Sequence, residues 1–179
     1  INMPHYPLQG IKKWREKYKH LDAPRRMYAA FVSTLDEMIG EVVTHLDELG
    51  LRDDTLIILI SDHGEPLAEH GTIRKYSVPV YEELARMVWI MSKPGLVPEG
   101  VVSDALVQNT DFTPTILDML NMEPPANYGM DGVSLLPLLN GEKEAVREYV
   151  YNGAFGLRSS IVNHNWKFIS NRGEKSNEL

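Results

Sequence analysis

The stretch that decides the fold is Thr55-Leu-Ile-Ile-Leu-Ile60, followed at once by Ser61-Asp62-His63-Gly64-Glu65. An unbroken apolar run bounded by polar residues is the pattern of a strand that is buried on both faces. The polar residues after it would lie at the carboxyl end of the strand, where open α/β sheets bind their ligands. We therefore predict a buried strand with a functional turn at its end.

Helical and strand patterns on either side of this stretch indicate an α/β fold. Between residues 27 and 49, apolar side chains recur three and four positions apart, which predicts an amphipathic helix that ends at Gly50. A second apolar run at 87–91 predicts another strand of the same, mostly parallel sheet. A further helix is predicted over 114–122, with Thr113 as its N-cap.

The sequence pattern changes after residue 143. Short β-type runs separated by turn residues follow, at 149–151, 157–162 and 166–169. Runs of this kind are typical of a small antiparallel sheet. We therefore expect part of a mostly parallel sheet flanked by helices in residues 1–143, and the start of a small C-terminal subdomain in residues 144–179.

Composition narrows the classes of function. The chain has 179 residues, a formal net charge of −7 and no cysteine. An acidic balance argues against nucleic acid or an anionic membrane as the main partner, and the lack of cysteine excludes disulfides and thiolate metal sites. No apolar run approaches the roughly 20 residues of a membrane span. We interpret the start at Ile1 as the interior of a longer protein.

The turn after the predicted strand has side chains suited to a divalent cation. Asp62 offers carboxylate oxygens and His63 an imidazole nitrogen, and Gly64 permits a sharp turn. Taken alone, the same residues also fit an ordinary strand-ending turn with a surface histidine.

Basic side chains elsewhere suggest that an anion binds beside that cation. Lys75 lies twelve residues after His63, with His70 between them. A lysine near a cation is favourable if a sulfate or phosphate group bridges the two charges; without such an anion, Lys75 would be a solvated loop residue. His5, held between Pro4 and Pro7, could donate a proton to a leaving oxygen.

Stretches from almost the whole chain resemble, in the same order, the second half of the sulfatases of the alkaline-phosphatase superfamily. They are PHYP (4–7), RRMYAAFVSTLD (25–36), DDTLIILISDHGE (53–65), EHGTIRK (69–75), VYEE (80–83), NTDFTPTILD (109–118), GVSLLPLL (132–139) and NWKF (165–168). The resemblance implies the sulfatase-like α/β fold, with residues 1–143 as the second half of its catalytic domain.

The resemblance also implies a role for the main candidates. Asp62 and His63 match a pair of metal ligands, usually for Ca²⁺, with Mn²⁺, Mg²⁺ or Zn²⁺ as alternatives. Lys75 matches the lysine that binds the sulfate group. His5 matches the histidine that contacts the sulfate ester and protonates the leaving alcohol.

Two further basic residues are candidates for contacting the substrate, His70 and Arg74. Arg74 is an alternative to Lys75 because Tyr81 follows Lys75 by six residues, a longer spacer than in many sulfatases. The D-x-x-P-T segment that begins at Asp111 matches a strand-end turn and helix start, which we interpret as structural.

The nucleophile that the resemblance implies has no counterpart in this chain. In sulfatases it is a formylglycine formed from the Cys or Ser of a C/S-x-P-x-R motif, whereas here Ser77-Val-Pro79 is not followed by x-Arg. We therefore expect the nucleophile and further metal ligands upstream of Ile1, and an isolated chain that is incomplete and inactive. The expected partners are that N-terminal part and a sulfate-ester small molecule or sulfated glycan. Resemblance alone favours a periplasmic, secreted or lysosomal location.

Two other functions remain open at this point. A phosphodiesterase or phosphonate monoester hydrolase of the same superfamily would use the same loop, and the nitrogen ligand at His63 favours its manganese- or zinc-type cation. A non-catalytic module would bind a sulfated glycan or another protein without turnover. Its full-length sequence would lack the C/S-x-P-x-R motif.

Overall fold

The structure is a computed structural model that describes residues 4, 5, 7, 8, 10–71, 80–154, 158–171 and 177–179. The chain forms two compact units, and each of them is discontinuous in sequence. The first comprises residues 1–55 and 64–78, and the second comprises residues 56–63 and 79–179. Within the described residues, none of the helices has the length and apolar character needed to cross a membrane.

The first unit is built around one long helix. A short helix, α1 (Lys12–Lys17), precedes α2 (Ala23–Glu48), so the predicted long helix is confirmed but begins earlier than its apolar pattern suggested. Asp22 sets this start, because its side chain accepts a hydrogen bond from the Arg25 N–H at 3.1 Å. After the helix, Gly50 has a φ of 68°, a left-handed conformation that glycine adopts without steric cost.

The N-terminal segment and α1 pack closely against α2. The hydroxyl groups of Tyr18 and Ser33 lie 2.8 Å apart, within hydrogen-bonding distance. Ala30 is fully buried, and a Cβ added at Gly10 would lie only 2.3 Å from its Cβ. Small residues on both sides of this contact therefore allow the two backbones to approach.

The second unit contains the two predicted strands as β1 (Ile57–Ile60) and β2 (Trp89–Ser92). They pair antiparallel, with Ile57 opposite Ser92 and Ile60 opposite Trp89, an arrangement that a mostly parallel sheet can include at its edge. The four residues of β1 are also partly exposed. A run that is apolar at every position carries no alternation, and it therefore contains no information about the direction of its neighbour.

The described residues of this unit form three α-helices: α3 (Glu82–Ala85), α4 (Phe112–Met119) and α5 (Leu136–Leu139). Helix α4 confirms the helix predicted over 114–122, but its N-cap is Asp111, not Thr113. The reason is a 3₁₀ turn, Asn109–Asp111, that leads directly into the helix. Pro114 consequently lies in the first turn, where its missing N–H removes no helical hydrogen bond.

The C-terminal part forms the predicted small antiparallel sheet. Its strands, in their order across the sheet, are β3 (Val150–Ala154), β4 (Arg158–Val162) and β5 (Lys167–Asn171). Glu178 forms an isolated antiparallel bridge with Ile169, a core residue that is 4% exposed. Because this sheet belongs to the same compact unit as β1 and α4, the boundary placed at residue 143 stays a prediction.

A buried ion pair joins the loops of the second unit. Asp111 is 0% exposed and accepts hydrogen bonds from Gln108 N at 2.8 Å, Val133 N at 2.9 Å and both terminal nitrogens of Arg147 at 2.5 Å. Burial raises the pKa of the Asp111 carboxyl, but the hydrogen bonds from Arg147 and the two backbone N–H groups outweigh it and lower that pKa below its ordinary value. These contacts agree with a structural role for Asp111.

We predict that Arg147→Ala lowers the free energy of unfolding by about 3–5 kcal/mol, because it leaves the buried Asp111 carboxylate without its charged partner. Denaturant unfolding of the wild type and the variant measures the difference. The matched control is Glu82→Gln in the same unit, which removes the carboxylate, 60% exposed, that pairs with Lys167. That control should change the free energy by less than about 1 kcal/mol. Equal losses in both variants would contradict the prediction.

Candidate active site

Two hydrogen bonds to Val88, the residue before β2, hold the turn that follows β1. The Ser61 N–H donates to the Val88 carbonyl at 3.2 Å, and the Val88 N–H donates to Ser61 Oγ at 3.0 Å. Both the backbone and the side chain of Ser61 are therefore engaged immediately before Asp62. The strand thus ends at a defined point, as the sequence predicted.

Asp62 and His63 bring together an oxygen and a nitrogen atom that can each donate an electron pair to a metal ion. Asp62 Oδ1 accepts a hydrogen bond from the His63 backbone N–H at 3.0 Å, and Asp62 Oδ2 lies 3.6 Å from His63 Nε2. The side chain of Asp62 is 88% exposed and that of His63 is 28% exposed. Two donor atoms at this separation can contact one cation at the usual distances of roughly 2.0–2.6 Å. The pair therefore fits part of a cation site.

Two donors do not complete such a site. Among the residues that the structure describes, no group of three or more His, Asp and Glu side chains could hold a metal ion. Calcium takes about six to eight oxygen ligands and zinc about four ligands in all. Any further His, Asp or Glu ligands would therefore have to come from outside the described residues.

An asparagine from the NTDFTPTILD motif (109–118) contacts this turn. Asn109 Nδ2 lies 3.4 Å from the Ser61 carbonyl oxygen and 3.5 Å from the Asp62 carbonyl oxygen. Asn109 is 47 residues from Asp62 in the sequence, and no spacing rule links the two positions. The sequence signal that could have pointed to Asn109 is its place as the first residue of the NTDFTPTILD motif.

The two histidine candidates, His5 and His70, belong to the first compact unit, whereas Asp62 and His63 belong to the second. Both His5 and His70 are exposed. His70 has φ 52° and ψ 24°, a left-handed conformation that is uncommon for residues other than glycine. The roles assigned to His5 and His70 stay predictions.

The other basic candidates, Lys75 and Arg74, lie in the segment 72–79, outside the described residues. Shortly after that segment, the Tyr81 hydroxyl donates to Glu178 Oε2 at 2.5 Å. This hydrogen bond is the main cause of the raised pKa of Tyr81, with burial as the next. Tyr81, shortly after the segment 72–79, is therefore tied to the C-terminal sheet through Glu178.

Comparison with known protein families supports the resemblance found in the sequence. The family model described as Sulfatase matches residues 1–122, which is more than half of the 179-residue chain. A divalent cation and a formylglycine are general features of this family.

Curated relatives carry sulfatase names. The N-acetylglucosamine-6-O-sulfatase of Bacteroides thetaiotaomicron is 39% identical over 117 residues, which cover 65% of this chain and 20% of that protein. The choline-sulfatase of Rhizobium meliloti is 33% identical over 150 residues, which cover 81% of this chain and 28% of that protein. The chain thus spans less than a third of the length of these relatives.

A solved structure provides a comparison of the fold. It is described as BT4656 in complex with its substrate D-glucosamine-2-N,6-O-disulfate, and it matches with a TM-score of 0.74 and 32% sequence identity. The match covers 86% of this chain and 33% of that one, and it confirms the expected sulfatase-like α/β fold. Sequence motifs, fold and family model agree, and we conclude that this chain belongs to the sulfatase family.

Proposed function

We propose that the longer protein containing this chain hydrolyses sulfate monoesters, with a sulfated carbohydrate as the substrate class that the relatives favour. The observation that carries the proposal is the sulfatase match over residues 1–122, a region in which Asp62 and His63 hold two donor atoms 3.6 Å apart. A sulfatase named for N-acetylglucosamine 6-sulfate and a neighbour bound to a disulfated glucosamine support the carbohydrate class. Aryl and alkyl sulfates are the other candidates.

In the proposed site, Asp62 and His63 hold the divalent cation, which is Ca²⁺ by family resemblance. A bound cation would stabilise negative charge on the sulfuryl oxygens. The Asp62 carboxylate also suits Mn²⁺ or Mg²⁺, and the His63 imidazole suits Zn²⁺.

The remaining roles concern the sulfate group and the leaving alcohol. Lys75, with Arg74 as its alternative, would pair with the sulfuryl oxygens and the charge that develops on the leaving oxygen. As the bond between sulfur and the alcohol oxygen breaks, His5 would give that oxygen a proton. His70 would contact the substrate, and a formylglycine nucleophile is expected upstream of Ile1.

Assays of the longer protein on matched sulfate, phosphate and phosphonate esters test the reaction class. We expect the highest kcat/KM with a sulfate ester, and no turnover by the isolated 179-residue chain, because the chain has no C/S-x-P-x-R motif. A preference for phosphate or phosphonate would favour the other hydrolase class, whose manganese- or zinc-type cation suits the His63 nitrogen. Binding of sulfated glycan without turnover would favour a non-catalytic module.

Lys75→Ala in the longer protein should lower kcat by about 10²–10³-fold, the usual loss when one electrostatic donor to the transition state is removed. Steady-state kinetics on the preferred sulfate ester measure this. Lys143→Ala, at an exposed lysine after α5, is the matched control and should behave like the wild type. Full activity in Lys75→Ala would remove Lys75 from the mechanism and leave Arg74 as the candidate.

Asp62→Ala should weaken the binding of Ca²⁺ by roughly tenfold or more, because it removes a charged ligand. Residues that only support a metal ligand typically contribute about 10–100-fold to affinity, so the loss of the ligand itself should cost at least as much. Calorimetric titration of the metal-free longer protein measures the affinity, and chelation should abolish turnover in the wild type. Asp104→Ala, at an exposed aspartate of the same unit, is the control. Unchanged Ca²⁺ affinity in Asp62→Ala would show that Asp62 is not a ligand.

A further inference from the structure

We propose that Asn109 is a positioning residue of the cation site, and that its side-chain amide holds the peptide groups on both sides of Asp62. The proposal rests on the proposed role of Asp62 and His63 as cation ligands. Nδ2 of Asn109 is the donor of the side-chain amide, and it lies 3.4 Å from the Ser61 carbonyl oxygen and 3.5 Å from that of Asp62. One side chain therefore reaches two successive carbonyl groups of the turn.

A ligand as exposed as Asp62 needs support of this kind. Within this chain its side chain is 88% exposed, so the packing of these residues does not select one rotamer, and hydrogen bonds within the turn contribute to that selection. One such bond runs from the His63 N–H to Asp62 Oδ1 at 3.0 Å. It directs Oδ1 towards the backbone and leaves Oδ2 on the side of the His63 imidazole.

The contact from Asn109 acts on the peptide group that makes this bond. The Asp62 carbonyl and the His63 N–H belong to one planar unit and point in opposite directions. The side-chain amide of Asn109 contacts the carbonyl oxygen of this peptide group. The Asp62 carboxylate accepts a hydrogen bond from its N–H. Rotation of the plane would break the bond to Oδ1 and move Oδ2 away from His63 Nε2. Through the backbone of the turn, Asn109 thereby influences the distance between Asp62 Oδ2 and His63 Nε2.

The turn that carries Asn109 is itself anchored in the second unit. The Asp111 N–H donates to the Gln108 carbonyl at 2.9 Å, and the Gln108 N–H donates to the Asp111 carboxylate at 2.8 Å. That carboxylate is buried against Arg147, and Gln108 Nε2 also donates to the Tyr151 carbonyl at 3.0 Å. The base of the turn is therefore fixed, although Asn109 lies at the surface.

The lengths of the two contacts indicate the size of the effect. Both are longer than the usual N–H···O distance of about 2.9–3.0 Å, so each is weak alone. Substitution of the one side chain nevertheless removes both. Residues that orient a metal ligand typically contribute about 10–100-fold to metal affinity, and we expect the lower end of that range here.

The test measures Ca²⁺ affinity by calorimetric titration of the metal-free longer protein and its variants. Asn109→Ala should bind Ca²⁺ about tenfold more weakly than the wild type, and Asn109→Gln, which keeps the amide, should recover part of the loss. Asn140→Ala is the matched control, since Asn140 is an exposed asparagine of the same unit that donates to Glu142 at 3.2 Å. Wild-type affinity in Asn109→Ala would overturn the proposal.

Hydrogen exchange without metal is the second readout, because it reports on the turn independently of any activity. Exchange at the His63 amide should be roughly threefold to tenfold faster in Asn109→Ala, and unchanged in Asn140→Ala. Unchanged exchange in Asn109→Ala would overturn the positioning role.

Asp62→Ala separates the two hypotheses. If it weakens Ca²⁺ binding while Asn109→Ala does not, the positioning role fails and the cation site stands. If exchange is faster in Asn109→Ala but Asp62→Ala keeps full Ca²⁺ affinity, the cation assignment fails, and the positioning role at that site fails with it.

Discussion

Asp111 and Arg147 bury opposite charges in the second unit, and three separate segments of the chain meet at this pair. Removing two charges from water is costly, and a buried pair is stable only if its remaining hydrogen-bonding capacity is also used. Each carboxylate oxygen here accepts one bond from Arg147 and one from a backbone N–H, of Val133 or of Gln108. The carboxylate is thus fully bonded, which explains why an ionised group persists in this interior.

The same pair connects the fold to the candidate site. It holds the base of the turn on which Asn109 sits, and Asn109 faces the carbonyl groups of the residues that end β1 and begin the exposed turn. Within this chain Asp62 is too exposed for packing to orient it, so the contacts from Asn109 to the carbonyl groups of the turn contribute to its order. A well-bonded interior thereby supports Asp62, the proposed cation ligand, as precise binding sites generally require.

The site that the described residues contribute is a partial one. An oxygen and a nitrogen donor 3.6 Å apart can hold a cation only with further ligands, and family membership together with a span of less than a third of the relatives' length points to those ligands in the longer protein. The proposed chemistry divides accordingly. Asp62 and His63 serve the cation, Lys75 and His5 serve the sulfate ester, and the nucleophile is expected upstream.

The sequence alone was enough to predict the strands, the long helix, the antiparallel C-terminal sheet and the adjacent Asp62-His63 pair, because each depends on periodicity or order among near neighbours. Only the tertiary structure decided the antiparallel direction of β1 and β2, the ion pair of Asp111 with Arg147 and the contact from Asn109. The ion pair joins residues 36 positions apart, and the contact from Asn109 to Ser61 joins residues 48 positions apart. The direction of β1 and β2 depends on which strand pairs with which. Local pattern does not encode such contacts, because they follow from how the whole chain packs.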